Sequence, residues 1–268
     1  MQAFIARLKP KSVLLMAVVN AAAYFFMMCV NVAADTIPIN GTTNSEISQF
    51  YFNLLTPAPY TFVIWGFIYM LLGQFCIYCF GVFSKSGSHK KYVLGIGFLF
   101  AVSSILNALW LILWHYKQIT AAFIVILLLS ANLLWIFAVI NRLGCAERID
   151  RLLVRAPFGL YLGWLLTAAA VNGAALYAHM SRAEAYAQDW NICVMLILVV
   201  ILSVLLFVFS SFEAAAAGIW SFSGILIRHV ALFSLDYPKI VVFCLFAITF
   251  LFVSCVIKYI KTHKPKKI

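Results

Sequence analysis

Acidic residues are almost absent from this chain, with eight Asp and Glu among 268 residues. Charged residues of either sign make up only 10%, against 65% apolar. A soluble domain carries roughly a quarter charged residues, so this chain could not cover a water-facing surface. No carboxylate falls in the core of an apolar run, which removes the usual proton relay of a pump. No lysine falls there either, which excludes a Schiff-base chromophore. The seven cysteines, Cys29, Cys76, Cys79, Cys145, Cys193, Cys244 and Cys255, sit in or beside apolar runs. None lies in the long outer loop, so a disulfide framework is not expected. Cys76-Ile-Tyr-Cys79 is formally C-x-x-C but lacks a βαβ context and reads as small apolar packing. There is no nucleotide-binding glycine loop, no metal-ligand cluster of usual spacing and no Ser-His-Asp arrangement. An enzyme is therefore not expected, and no resident cofactor is called for. The first apolar run is too long for a signal h-region and reads as a retained anchor.

What the chain does have is apolar blocks of about 20 residues, the length that crosses a hydrocarbon core at about 1.5 Å per residue. Eight spans are predicted: Ser12–Ala34, Pro59–Phe83, Tyr92–Trp114, Thr120–Ile140, Pro157–Ala178, Asn191–Phe212, Ala214–Leu232 and Lys239–Ile257. The fold class is an all-α integral membrane protein of about eight transmembrane helices, since only helices satisfy their own backbone groups in lipid one segment at a time. The seventh span is the weakest, diluted by Gly218, Gly224 and the Arg228–His229 pair. Both termini are predicted to be cytoplasmic, in a plasma membrane such as the bacterial inner membrane. With that orientation Arg7, Lys9, Lys11, Lys85, Lys90, Lys91, Arg142, Arg148, Arg151, Arg155, Lys258, Lys261, Lys264, Lys266 and Lys267 lie inside. Only Lys117, Arg182, Arg228 and Lys239 fall outside, as the positive-inside rule expects. The net charge of +11 then needs no nucleic acid. The basic tail meets anionic membrane lipids instead.

Two domains are expected, residues 1–180 with the polar and aromatic landmarks and residues 181–268 as a three-helix extension with a basic tail. The outer loop Asp35–Thr56 is long enough to act as a lid. Informative residues recur at helical spacing in three spans. Trp65, Tyr69 and Gly73 share one face of the second, Asn107, Trp110 and Trp114 one face of the third, and Tyr161, Trp164, Ala168 and Asn172 one face of the fifth. An Asn at membrane depth loses free energy unless hydrogen-bonded, so Asn107 and Asn172 should turn their aromatic neighbours inward. Trp65, Tyr69, Asn107, Trp110, Tyr161, Trp164 and Asn172 are thus candidates to line a chamber for a planar apolar ligand. The same residues could instead simply pack the helices together.

At these residues the chain resembles the TspO/MBR family, the tryptophan-rich sensory or translocator proteins. The second-helix pattern matches Pro57, Pro59, Trp65, Tyr69 and Gly73. The third-helix N-x-x-W matches Asn107 and Trp110, and the fifth-helix pattern matches Tyr161, Leu162, Trp164, Ala168 and Asn172. Where the family carries a tryptophan ahead of the prolines, this chain has Phe52-Asn53-Leu54-Leu55. The resemblance covers roughly residues 12–180 and implies a five-helix bundle, here with a three-helix extension. It further implies a sensor-like binder of a tetrapyrrole such as haem or another porphyrin, of a sterol, or of a similar hydrophobic small molecule. A multi-pass permease for such a molecule is the alternative, which broken mid-membrane helices would favour.

Gly159-x-x-x-Gly163 suits close helix approach, either in a homodimer or within the bundle. His115, His179 and His229 fall near outer helix ends and read as interfacial. Arg228 is expected to snorkel outward or to pair with Asp236.

Overall fold

The computed structural model describes residues 10–263 except 38, 43–45, 48–49, 52, 85–86, 182–186 and 233–234. Of the basic residues on which the orientation rests, Arg7, Lys9, Lys85, Arg182, Lys264, Lys266 and Lys267 lie outside the described residues. The described chain is built from helices α1 (Pro10–Thr36), α2 (Ile64–Cys79), α3 (His89–Ile96), α4 (Leu99–His115), α5 (Ile119–Leu143), α6 (Ala156–Met180), α7 (Gln188–Phe209), α8 (Phe212–Leu232) and α9 (Pro238–His263). A 3-10 turn, Pro59–Val63, leads into α2, and a π turn, Arg151–Arg155, leads into α6. Among the described residues, seven helical stretches are long and apolar enough to cross a membrane, and α3 with α4 makes an eighth if the bent pair is one span. The protein is a multi-pass membrane protein.

Two expected spans change shape. The second stops at Cys79 rather than Phe83, because Gly81 (φ 90°) and Phe83 (φ 69°) turn the chain out of the helix. The third is not one rod over Tyr92–Trp114; it bends by 59° between α3 and α4. The cause is Gly97, whose φ of 58° and ψ of −128° suit a residue without a Cβ. A break in mid-span exposes backbone groups that lipid cannot satisfy. Here Asn20 of α1 closes it with both ends of its amide. Its Nδ2 donates to the Gly97 carbonyl at 2.8 Å, and its Oδ1 accepts from the Ala101 N–H at 2.9 Å. Asn20 is itself only 2% exposed. Leucine at this position leaves a buried donor and a buried acceptor without partners, at about 1–3 kcal/mol each. Asn20→Leu is therefore expected to lower stability by roughly 2–4 kcal/mol, read as a fall in the thermal unfolding midpoint in detergent. An unchanged midpoint would mean that the break needs no partner.

By contacts the chain divides into two compact units, and the boundary is not the one expected at residue 180. The first holds residues 1–47 and 64–158, and the second 48–63 and 159–268. In the first, α1 packs along α4, and α4 along α5. In the second, α8 packs on α9, α7 packs on both, and the 59–63 turn rests on α8. The boundary between residues 47 and 48 falls within the outer loop. The loop's last four residues, 53–56, are buried, as are Pro57 and Ala58 after it.

The small residues of α8 explain why a weakly apolar helix is retained in the second unit. Ala214, Ala217, Gly218, Ser221 and Gly224 are all buried. A Cβ on Gly163 would lie 2.6 Å from both the Cα and the carbonyl oxygen of Ala214. Gly163 of α6 therefore serves a backbone crossing within this unit.

Candidate functional site

The first unit brings four of the seven expected site residues together. Trp65 stacks on Tyr69 with ring centroids 5.3 Å apart and planes 20° apart, and Trp110 lies 6.1 Å from Trp65 at 33°. Tyr69 and Trp110 are buried at 8% exposure each, whereas Trp65, the ring that meets both of them, is half-buried. Polar contacts fix the row. The Tyr69 hydroxyl donates to Asn31 Oδ1 at 2.7 Å, and Asn31 Nδ2 donates to Asn107 Oδ1 at 2.9 Å. Tyr24 donates from its hydroxyl to the Tyr69 carbonyl at 2.7 Å. Gly73 leaves room for Tyr24, since a Cβ there would meet the Tyr24 hydroxyl at 3.0 Å.

Asn107 thus points inward, as its chemistry demanded, and its partner is one that the sequence reading passed over. Asn20, Tyr24, Met27 and Asn31 recur at i, i+4, i+7 and i+11, which puts them on one face of α1. That spacing was the available signal.

The second unit holds Tyr161, Trp164 and Asn172, all buried on α6. Trp164 meets the Phe62 ring edge-to-face at 6.1 Å. Asn172 Nδ2 donates to the Ala168 carbonyl of its own helix at 2.9 Å.

Around these residues the proline segment is stitched to α8. Ala58 N–H donates to the Gly224 carbonyl at 3.0 Å, and Trp220 Nε1 donates to the Thr61 carbonyl at 2.9 Å. Arg228 donates from a guanidinium nitrogen to the Pro57 carbonyl at 3.2 Å, and His229 Nε2 lies 2.9 Å from the Leu54 carbonyl. Asn53 shapes the approach, accepting the Leu55 N–H at 3.0 Å on its Oδ1. Arg228 and His229 are therefore occupied by the loop's carbonyls. His229 and His115 are fully buried rather than interfacial, and His115 Nδ1 bonds the Leu111 carbonyl at 2.9 Å. His179 is exposed, with its ring 5.6 Å from that of Tyr51.

One polar cluster of the first unit was missed altogether. Asp150, 0% exposed, accepts from Tyr78 at 2.6 Å and Ser88 at 3.0 Å on one oxygen, and from Tyr92 at 3.1 Å on the other. Lys91 Nζ stands 3.9 Å from the same carboxylate. Nearby, burial pushes the Cys145 thiol above its ordinary pKa. The cluster ties the ends of α2, α3 and α5 to the turn that leads into α6.

The family follows from the whole length of the helical array. The pattern defining the TSPO-like proteins matches residues 17–257. The chain belongs to the TSPO-like protein family. The match takes in α7, α8 and α9, so the three helices beyond residue 180 are part of the pattern of these TSPO-like proteins. No curated protein and no solved structure matches the chain significantly.

Proposed function

We propose that this TSPO-like protein is a non-enzymatic, receptor-like binder of a planar hydrophobic ligand, of the tetrapyrrole or sterol type. The row Tyr69–Trp65–Trp110 carries the reading. Tyr69, anchored by the Asn31 and Asn107 amides, stacks on Trp65, and the half-buried central ring Trp65 gives the aromatic wall a partly open face against which a planar molecule would pack. In the second unit, taken by itself, Trp164, Tyr161 and Asn172 are proposed as ligand contacts, and haem or another porphyrin is one ligand to try. The charge distribution supports cytoplasmic termini in a plasma membrane such as the bacterial inner membrane.

The bend between α3 and α4 favours the permease reading, because transporters use broken spans to bind and move substrates. Asn20 weighs against it. Both backbone groups that it bonds at the break are already satisfied, which leaves them unavailable to a substrate and fixes the bend. The binder reading is therefore the one retained.

The test is a thermal-shift screen of the detergent-purified protein against haem, protoporphyrin and sterols, followed by titration of any hit. Trp65→Ala is expected to weaken a bound planar ligand by about 1–3 kcal/mol, the size of one aromatic stacking contact. Unchanged affinity in a less stable variant would assign the row to packing alone.

A further inference from the structure

A groove in the second unit lies outside everything described so far. Its volume is about 520 Å³, and Ile192 of α7 lines it together with Pro238, Lys239, Val242, Phe243 and Phe246 of α9. None of the seven expected site residues touches it. Apart from Lys239 its lining is apolar, and it runs down α9 from the helix start. Seven residues from Lys239 to Phe246 carry it about 10 Å along the helix axis.

The mouth is built differently from the walls. Lys239 Nζ donates to Asp189 Oδ1 at 2.8 Å, with the two side chains 59% and 81% exposed. The Lys239 N–H is taken by Gln188 Oε1 at 3.1 Å, which fixes the start of α9 against the start of α7. An ammonium has three donors and a carboxylate two oxygens. One bond between them leaves Lys239 able to serve an anion and Asp189 able to serve a cation.

We propose that this groove holds a phospholipid with a zwitterionic primary-amine headgroup, of the phosphatidylethanolamine class. An acyl chain lies along Val242, Phe243 and Phe246, the phosphate meets Lys239, and the ammonium meets Asp189. Charge complementarity selects this occupant. The mouth presents one positive and one negative group side by side, and the headgroup presents the opposite pair. A primary ammonium can donate hydrogen bonds to Asp189, which a quaternary choline cannot. A glycerol headgroup brings no cation to the carboxylate at all.

Native mass spectrometry of the delipidated full-length protein decides the matter. The probes are phosphatidylethanolamine, phosphatidylcholine and phosphatidylglycerol with identical acyl chains. The ethanolamine lipid is expected to bind about tenfold tighter than the other two, the ratio one well-formed charged contact supplies. Asp189→Asn should bring the ethanolamine lipid down to the choline lipid, and Lys239→Gln should weaken all three. Equal binding of the three by the unaltered protein would overturn the proposal. So would tighter binding of the choline or glycerol lipid, or an ethanolamine preference that survives Asp189→Asn.

Discussion

Asp150→Leu is expected to cost about 3–4 kcal/mol of stability, within the range for breaking a buried charged network by removing one partner. The carboxylate accepts three hydroxyls and faces Lys91, so its loss strands several donors together. Three stranded hydroxyls at about 1–3 kcal/mol each would suggest more. Two fallbacks limit the damage. Tyr78 and Ser88 lie 2.9 Å apart and can bond each other, and Tyr92 already has the Gly144 carbonyl at 2.7 Å. Tyr92→Phe removes a single donor and should cost only about 1 kcal/mol. Thermal unfolding of both variants in detergent measures the difference. Equal effects would show that the carboxylate is not the hub.

The second large effect is expected at Gly163. Alanine normally gains about 1 kcal/mol over glycine inside a helix. At Gly163 the new methyl would sit 2.6 Å from backbone atoms of Ala214, which cannot rotate aside. The helices must separate, and overpacking of this kind costs typically 1–3 kcal/mol, occasionally more. Gly163→Ala should therefore destabilise by about 2 kcal/mol net. Gly218 is the control. Its Cβ would meet the tip of the Leu202 side chain, which can turn away, so Gly218→Ala should be close to neutral. Unfolding midpoints of the two variants should differ clearly. If Gly163→Ala changed the oligomeric state and left stability intact, its role would lie between protomers instead.

These two sites differ in how far the sequence announces them. Gly163 belongs to a recognisable small-residue spacing, and the Trp65, Asn107 and Trp110 faces follow from helical periodicity plus the cost of an amide in lipid. The spans follow from apolar length alone. Asp150 was hidden because its partners come from three separate places, the end of α2, Ser88 just ahead of α3, and α3 itself. Only the folded chain brings them together. Asn20 and Asn31 were hidden differently, inside a helix judged by its length alone.

The seventh span shows the opposite error. Gly218, Gly224, Arg228 and His229 dilute it as a membrane helix. Gly224, Arg228 and His229 are where the proline segment docks, as a glycine carbonyl, a guanidinium and an imidazole bonded to the loop backbone. What weakens a span as a solute in lipid is what equips it to hold a non-helical strand of its own chain.

The bend in the third span has a consequence for how the chain is assembled. A membrane helix ordinarily leaves the insertion machinery with its internal backbone pairing complete, and helices then associate as finished rods. The α3–α4 segment cannot do so, because Gly97 and Ala101 keep one acceptor and one donor that only a residue 77 and 81 positions earlier supplies. Asn20 is made first and carries its own exposed amide until that segment arrives. Each of the two is an unfinished piece alone, and the polar pairing of both is completed only where α1 meets α3–α4.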